Sequence, residues 1–319
     1  MRFLYVAPRY HTNQVPIIRG LKRKGHEVCF LSQYAGKVED YSDLTPTVIG
    51  YSRIFLFFDR IYMALMKNRD AYAGDRKMKC GFPPIGKLKR AIRDSHGDVA
   101  ILRERSVYSI CAYLLCKKYK IPAILYNQSP LWEDCIKNDP AHRLMRLLTP
   151  AVRMTPVMGV QDGKKVKEPG AAFVPFVMEP EQKAEEKRWI KDGITHIFSI
   201  GKYEERKNHR MLVEIVEELS AVSKIHLTIA GERTTSAHQA YYDRLAAYIA
   251  DRGLQDKVTL LVNLNRQQVA EQYRKADLFV IPSTREPASI SQLEAMAFSL
   301  PVVCGDKNGT ACYVENGVN

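Results

Sequence analysis

The apolar positions of this chain fall in short strings, and between the strings they recur every third or fourth residue. Arg2-Phe3-Leu4-Tyr5-Val6-Ala7 is a β-rich string that ends at Pro8. Residues 14–24 then carry apolar side chains at helical spacing, Gly25-His26-Glu27 stops that helix, and Val28-Cys29-Phe30-Leu31-Ser32 reads as a second strand. A strand, a helix and a strand in that order make a β-α-β unit, which implies parallel strands and a right-handed crossover. Further strands are predicted at residues 98–102 and 123–126, with an amphipathic helix over 107–118 between them and another apolar stretch at 154–160. The alternation is that of a doubly wound α/β sheet.

The rhythm breaks near residue 175 and then restarts. Val174-Pro175-Phe176-Val177-Met178-Glu179-Pro180 leads into a charged run without glycine over 181–191, the signature of an interdomain linker. Strands are predicted at 195–201, 225–231, 258–262, 278–282 and 301–304, and helices at 208–222, 237–252, 267–275 and 289–298. At roughly 150 residues per domain, 319 residues suggest two domains. The expected organisation is α/β throughout: a Rossmann-like domain over 1–176, a linker over 177–192 and a second Rossmann-like domain over 193–319. Ligands of such sheets bind beyond the carboxyl ends of the strands.

One segment of the first half, 52–93, does not follow the alternation. Ile54, Phe55, Leu56, Phe57, Phe58, Ile61, Tyr62, Leu65 and Met66 precede Lys67, Arg69, Arg76, Lys77, Lys79, Lys87, Lys89, Arg90 and Arg93. This pattern has two readings: a core helix followed by a solvated basic loop, or a segment that lies on an anionic membrane surface.

Composition narrows the partners. With 46% of residues in the apolar and aromatic set and 26% charged, collagenous, low-complexity and disordered classes are excluded. The net charge of +13 is uneven: residues 1–177 hold 30 basic and 15 acidic side chains, and the remainder 18 basic and 20 acidic. The first half is therefore expected to meet an anionic partner. Seven cysteines without a C-x-x-C pair, mostly in apolar strings, read as buried thiols in a reducing compartment. No stretch is long and apolar enough for a signal peptide or spanning helix, so the expected location is cytoplasmic, including the inner face of the plasma membrane. The basic residues are not interleaved with a nucleic-acid-binding motif, and no nucleic-acid partner is expected.

Candidate chemistry lies in the second half. There is no G-x-G-x-x-G and no Walker A sequence. Instead, Gly201-Lys202-Tyr203-Glu204-Glu205-Arg206-Lys207 follows the first strand of that half directly. Gly201 permits a tight turn, and Lys202, Arg206 and Lys207 place positive charge where a diphosphate could sit. A second constellation runs from Pro282 to Ala297. Glu286 lies in a loop, a helix is predicted to begin near Ala288, and Glu294 falls about two turns inside it. Small residues there, Ala288, Ser289 and Ser291, leave the helix N-terminal amides open to an anion. A buried Glu294 needs hydrogen-bond donors, and sugar hydroxyls would serve.

Together Glu286-x7-Glu294 and the Gly201 to Lys207 loop resemble the family-4 glycosyltransferases of the GT-B fold. So do Gly25-His26-Glu27-Val28, Ile229-Ala230-Gly231, Ala276-Asp277-Leu278-Phe279-Val280-Ile281-Pro282-Ser283 and Leu293-Glu294-Ala295-Met296-Ala297 followed by Leu300-Pro301-Val302-Val303. The resemblance implies two Rossmann-like domains facing a central cleft and transfer of a sugar, with retained anomeric configuration, from a nucleoside-diphosphate sugar. It implies that Lys202 and Lys207 hold the diphosphate, with Gly201 and Arg206 beside them. Glu286 would contact donor-sugar hydroxyls, Glu294 the nucleotide ribose, and amides around Ser289, Ile290 and Ser291 the phosphates. Glu286 and Lys207 are the expected catalytic residues. The family has no D-x-D motif, so neither a metal nor another cofactor is expected; a UDP-type donor is the first guess.

The sequence also departs from the family pattern. Where relatives often carry a Gly-Gly pair, this chain has Tyr10-His11-Thr12-Asn13-Gln14, and where they often carry a histidine it has Tyr126-Asn127-Gln128-Ser129-Pro130. His11, Asn127 and Gln128 are the acceptor-side candidates. The acceptor implied is an anionic or lipid-linked glycan, as in polysaccharide or lipopolysaccharide assembly. Relatives usually continue beyond the region of Glu315 to Asn319, so a truncated C-terminal end is expected. The alternatives are a non-catalytic nucleotide-sugar binder and an epimerase or phosphorylase of the same fold.

Overall fold

A computed structural model describes residues 1–36, 41–65, 73–104, 106–128, 140–161, 163–168 and 170–319. Met66, Lys67, Arg69, Ser129, Pro130 and Cys135 lie outside the described residues. The described residues divide into two compact units, one formed by those up to 128 with 140–156, 168 and 170–177, the other by 157–161, 163–167 and 178–319.

The first unit contains β1 (Arg2–Ala7), α1 (Val15–Arg23), β2 (Glu27–Ser32), β3 (Thr47–Val48), α2 (Arg53–Leu65), α3 (Ala73–Cys80) and α4 (Ile85–Asp94). It continues with β4 (Val99–Arg103), α5 (Val107–Lys118), β5 (Ala123–Tyr126), α6 (Pro140–Leu148) and β6 (Val152–Thr155). A hairpin of β7 (Gly159–Gln161) and β8 (Lys164–Val166) belongs to the second unit, after which β9 (Ala171–Phe173) closes the first. The first sheet runs β3-β2-β1-β4-β5-β6-β9, all parallel. Leu4, Val6, Leu102 and Leu125 pack on Leu88, Ile92, Tyr108, Ala112 and Cys116 of α4 and α5.

Helix α2 is not a core helix. Its buried residue is Asp59, paired with Arg76 and Lys77 of α3. Phe57, Phe58 and Leu65 are 61%, 64% and 79% exposed. The reading of 52–93 as a core helix followed by a solvated basic loop is therefore corrected: the aromatic residues of α2 stay exposed, and the basic stretch forms α3 and α4, the latter burying Leu88 and Ile92.

The second unit restarts the alternation: β10 (Thr195–Ile200), α7 (His209–Leu219), β11 (Ile225–Gly231), α8 (Ser236–Asp251), β12 (Val258–Val262), α9 (Arg266–Lys275), β13 (Leu278–Ile281), α10 (Ile290–Ala297) and β14 (Val302–Cys304). Its parallel sheet is ordered β12-β11-β10-β13-β14. Alternate side chains of each strand serve opposite faces. Ile197, Leu227 and Ile229 pack with Leu212, Val213, Val216, Tyr241 and Leu245, whereas Phe198, Phe279 and Ile281 pack with Tyr273, Ala295 and Phe298. The strand order reverses between β10 and β13, so the loops that follow these neighbouring strands emerge side by side at the carboxyl edge, the usual ligand position of an open α/β sheet.

Of residues 177–192, expected as a linker, Val177 belongs to the first unit and 178–192 to the second. Short 3-10 turns form at Ala184–Glu186 and Lys191–Gly193.

Candidate functional site

After β10 the chain turns through Gly201, forms a 3-10 turn at Glu205–Lys207, and enters α7 by way of Asn208, whose φ of 53° is left-handed. Asparagine tolerates that conformation better than most residues. The turn aims two cations at the loop after β13. Lys207 Nζ donates to Glu286 Oε2 at 2.5 Å, and the Arg206 guanidinium donates to the same oxygen at 2.9 Å. Arg206 also donates to the Arg285 carbonyl at 2.8 Å and to Glu204 Oε1 at 2.6 Å. Burial alone would raise the Glu286 carboxyl, but the adjacent Lys207 and Arg206 charges outweigh it and hold it below the ordinary glutamate value.

The Glu286 backbone is fixed as well. Its N–H donates to the Lys307 carbonyl at 2.9 Å, and its carbonyl accepts from Gly309 N–H at 2.8 Å, making a parallel bridge with Asn308. Asn308 Nδ2 donates to Gln292 Oε1 at 2.6 Å, Thr310 Oγ1 to the same oxygen at 2.9 Å, and Gln292 Nε2 to the Thr310 carbonyl at 2.8 Å. All three residues are buried. This closed network ties the loop that clamps Glu286 to helix α10.

Helix α10 begins at Ile290, two residues later than expected near Ala288, because Ser289 is its cap: Ser289 Oγ accepts from Gln292 N–H at 3.3 Å. Glu294 is consequently little more than one turn inside the helix. The cap occupies the Gln292 amide, and helix geometry leaves the Ile290 and Ser291 amides without intrahelical acceptors. Glu294 Oε2 accepts from the Tyr273 hydroxyl at 3.1 Å, and the same hydroxyl lies 3.0 Å from the Ser291 carbonyl. Burial raises the Glu294 carboxyl, with the Tyr273 hydrogen bond and the Arg266 charge opposing.

The structure thus brings Gly201, Arg206, Lys207 and Glu286 into one cluster, with Ser289, Ile290, Ser291 and Glu294 on the helix that follows Glu286. Lys202 is not bonded to Glu286; it is exposed and lies 3.8 Å from Glu232. Gln292, Asn308, Thr310, Tyr273 and Arg266 were not singled out by the sequence analysis. Gln292 lies inside the E-x7-E interval, but the other residues had no spacing signal pointing to the site.

In the first unit, the acceptor-side candidates follow β1 and β5 at the carboxyl edge of that sheet. His11 Nδ1 lies 3.3 Å from Thr12 Oγ1 and caps the turn Thr12–Gln14. Asn127 is buried and donates from Nδ2 to Glu168 at 3.1 Å and to Glu104 at 3.3 Å. Gln128 Nε2 donates to the Tyr126 hydroxyl at 2.6 Å. A cavity of about 50 Å³ at this edge is lined in part by Tyr5, Asn13, Gln14, Arg103, Tyr126 and Phe176. Among the described residues, no cluster of His, Cys, Asp and Glu is suited to hold a metal ion.

The fold is of the GT-B class, as its likeness to solved glycosyltransferases shows. The glycosyltransferase of Rickettsia africae superposes with a TM-score of 0.68 at 14% identity, covering 99% of this chain and 82% of that one. Anabaena Alr3699/HepE, solved with UDP and glucose, gives 0.62 at 14% identity, covering 100% of this chain and 84% of that one. Residues 181–319 match the family model described as Glycosyl transferases group 1. Mannosylfructose-phosphate synthase of Agrobacterium fabrum is 27% identical over 110 residues, 34% of this chain and 24% of that enzyme's length.

Proposed function

We propose that the protein is a retaining glycosyltransferase that moves a sugar from a nucleoside-diphosphate sugar to a membrane-associated glycan or lipid acceptor bound by the first unit. The observation that carries this reading is the convergence of Lys207 and Arg206 on Glu286, next to the N-terminus of α10, within the segment that matches the group 1 family. In the reaction the bond from the anomeric carbon to the diphosphate oxygen breaks, and its electron pair leaves with the nucleoside diphosphate. The acceptor oxygen forms the new bond on the same face of the sugar, and its proton passes to the departing diphosphate oxygen that has gained the electron pair.

Negative charge therefore grows on the diphosphate in the transition state. The Lys207 ammonium, with Lys202 and Arg206 near it in the chain, and the Ile290 and Ser291 amides stabilise that charge without reorganising. Lysines and amides take the place a divalent metal would have, so no metal is required. Glu286, ionised throughout the neutral range, accepts hydrogen bonds from donor-sugar hydroxyls, and Glu294 from the ribose. UDP is the first donor to test, as the Anabaena structure contains UDP. His11, Gln128 and the Asn127 network face acceptor chemistry at the first unit's sheet edge.

The acceptor side is membrane-associated in this reading because α2 exposes Ile54, Phe57, Phe58, Ile61 and Leu65 in the half of the chain that carries the positive charge. Sedimentation with anionic vesicles at low salt tests that attachment: the wild type should pellet and Phe57→Ser/Phe58→Ser should not. Transfer itself is tested by incubating UDP-, GDP- and ADP-sugars with glycolipid acceptors, following diphosphate release and the product anomer by NMR. Release dependent on acceptor, with the donor's configuration kept, is expected. Binding of donor without any transfer favours the non-catalytic alternative, and an inverted product contradicts retention.

A further inference from the structure

The charged run 181–191 reads in sequence as a solvated connection, yet Lys187 within it is buried, 7% exposed. Its Nζ donates to the carbonyls of Tyr273 and Arg274 at 3.3 and 2.8 Å, at the carboxyl end of α9. The last carbonyls of that helix need donors from outside it. Its cap, Ala276, is extended (φ −72°, ψ 148°) instead of left-handed, so no glycine-type turn folds back to serve the last carbonyls. The ammonium fills the gap, and its charge also suits the negative end of the helix.

Tyr273 is the residue whose hydroxyl meets Glu294 and the Ser291 carbonyl. Its ring is held laterally, stacked on Phe298 at 5.2 Å and edge-on to Phe198 at 5.2 Å. At the other end of this side chain the backbone carbonyl of Tyr273 is held by Lys187. The same connection fastens α10 from its other end: Glu181 N–H donates to the Ala297 carbonyl at 2.8 Å, and Ser299 Oγ donates to the Gln182 carbonyl at 2.8 Å. Asp277 accepts from Ile190 N–H and His196 N–H, both at 2.8 Å, anchoring the remainder of the segment. A lysine is a costly choice for a buried tie, since an apolar side chain would fill the space without desolvating a charge. Burial indeed lowers the Lys187 ammonium from its ordinary value, with Asp277 opposing.

We propose that Lys187 is a positioning residue of the donor site: by tying down the end of α9 it sets the Tyr273 hydroxyl, and through it the orientation of the Glu294 carboxylate toward the nucleotide ribose. The inference rests on the donor-site reading above. The interdomain connection is then part of the binding machinery of the second unit, and a change there is felt at a carboxylate it does not touch.

The test compares UDP, GDP and ADP, each beside its 2′,3′-dideoxy counterpart, by calorimetric titration of the wild type, Lys187→Met, Lys187→Arg and Tyr273→Phe. The wild type should prefer the ribose-bearing nucleotide about tenfold or more, the range for a hydrogen bond to a charged group. In Lys187→Met and Tyr273→Phe that preference should fall toward unity while affinity for the dideoxy nucleotide stays within about twofold, and Lys187→Arg should restore most of it. Tyr273→Phe leaves Lys187 intact and keeps the test open if Lys187→Met does not fold. An unchanged preference in Lys187→Met, or equal weakening toward both nucleotides, overturns the inference and makes Lys187 a purely structural tie. A preference that survives in Tyr273→Phe also overturns it. A wild type that binds none of the nucleotides overturns the donor reading itself.

Discussion

The side chain of Lys207 crosses Gly201 on its way to Glu286: a Cβ built on Gly201 would stand 2.9 Å from Lys207 Cδ and 3.0 Å from its Cε. The glycine after β10 thus does more than allow a turn. It leaves the corridor through which the ammonium reaches the carboxylate on the neighbouring loop.

Gly201→Ala should therefore push Lys207 off Glu286 while leaving the fold in place, because the displaced atoms belong to a flexible side chain. Affinity for a nucleoside diphosphate is expected to fall about tenfold, with stability reduced by about 1 kcal/mol. Gly231→Ala is a different case. Its Cβ would lie 2.5 Å from Tyr203 Cε2 and 2.6 Å from the Gly201 carbonyl, inside the buried base of the same loop. That overpacking should cost about 2–3 kcal/mol in urea unfolding. Similar losses in both variants would contradict the distinction.

The network of Gln292, Asn308 and Thr310 gives a second prediction. Gln292→Met keeps the volume but strands Asn308 Nδ2 and the Thr310 carbonyl in a buried site. The expected loss is about 2–3 kcal/mol, together with a weaker hold on Glu286 through the 307–309 loop. Chemical denaturation reads the first effect and titration of a nucleoside diphosphate the second. A variant as stable as the wild type would remove the network from the account.

Glu286 and Glu294 should bend the pH dependence of stability in opposite directions. Glu286 titrates below its ordinary value, so its contribution is present above that ordinary value and is lost as pH falls through the lowered one. Glu294 titrates above its ordinary value, so its contribution is present below that value and is lost as pH rises through the raised one. Between about pH 3 and 7, Glu286→Gln should flatten the acid fall of Tm, and Glu294→Gln should steepen the rise. Changes of the same sign in the two variants would contradict the assigned environments.

His209 behaves like Glu286 in direction. Burial, aided by the Lys207 charge, lowers its imidazole from 6.5 to about 3, and the ring stays neutral at physiological pH. Its contribution is present above 6.5 and is lost as pH falls toward 3. His209→Phe should consequently lose less Tm than the wild type between pH 7 and 4, as measured by differential scanning calorimetry. A steeper loss in the variant would be incompatible with a neutral buried ring.

Much of the candidate site's clustering was legible in the sequence because its loops follow strands. Gly201, Arg206, Lys207 and Glu286 sit just past β10 and β13, and the reversal of strand order between these neighbours brings them together. What escaped was carried by residues whose local patterns point elsewhere. Lys187 sits in a charged run that resembles solvated linker. Tyr273 has the spacing of a core aromatic, which it also is. Asn308 and Thr310 lie in Asp306-Lys307-Asn308-Gly309-Thr310, a string with the composition of an exposed turn, and their burial follows from packing against Gln292. The helix start moved because a serine hydroxyl competed successfully as cap, and α2 kept its phenylalanines outside because hydrophobicity alone does not say which surface will cover them.

The central claim, that Lys207 and Glu286 form the floor of a nucleotide-sugar donor site, is tested most directly by titrating UDP, GDP and ADP into the wild type and Lys207→Ala by calorimetry. The account predicts that at least one diphosphate binds the wild type and binds Lys207→Ala about tenfold or more weakly, with the variant's Tm preserved within a few degrees. Equal binding to both proteins, or binding of none of the three to the wild type, would contradict it.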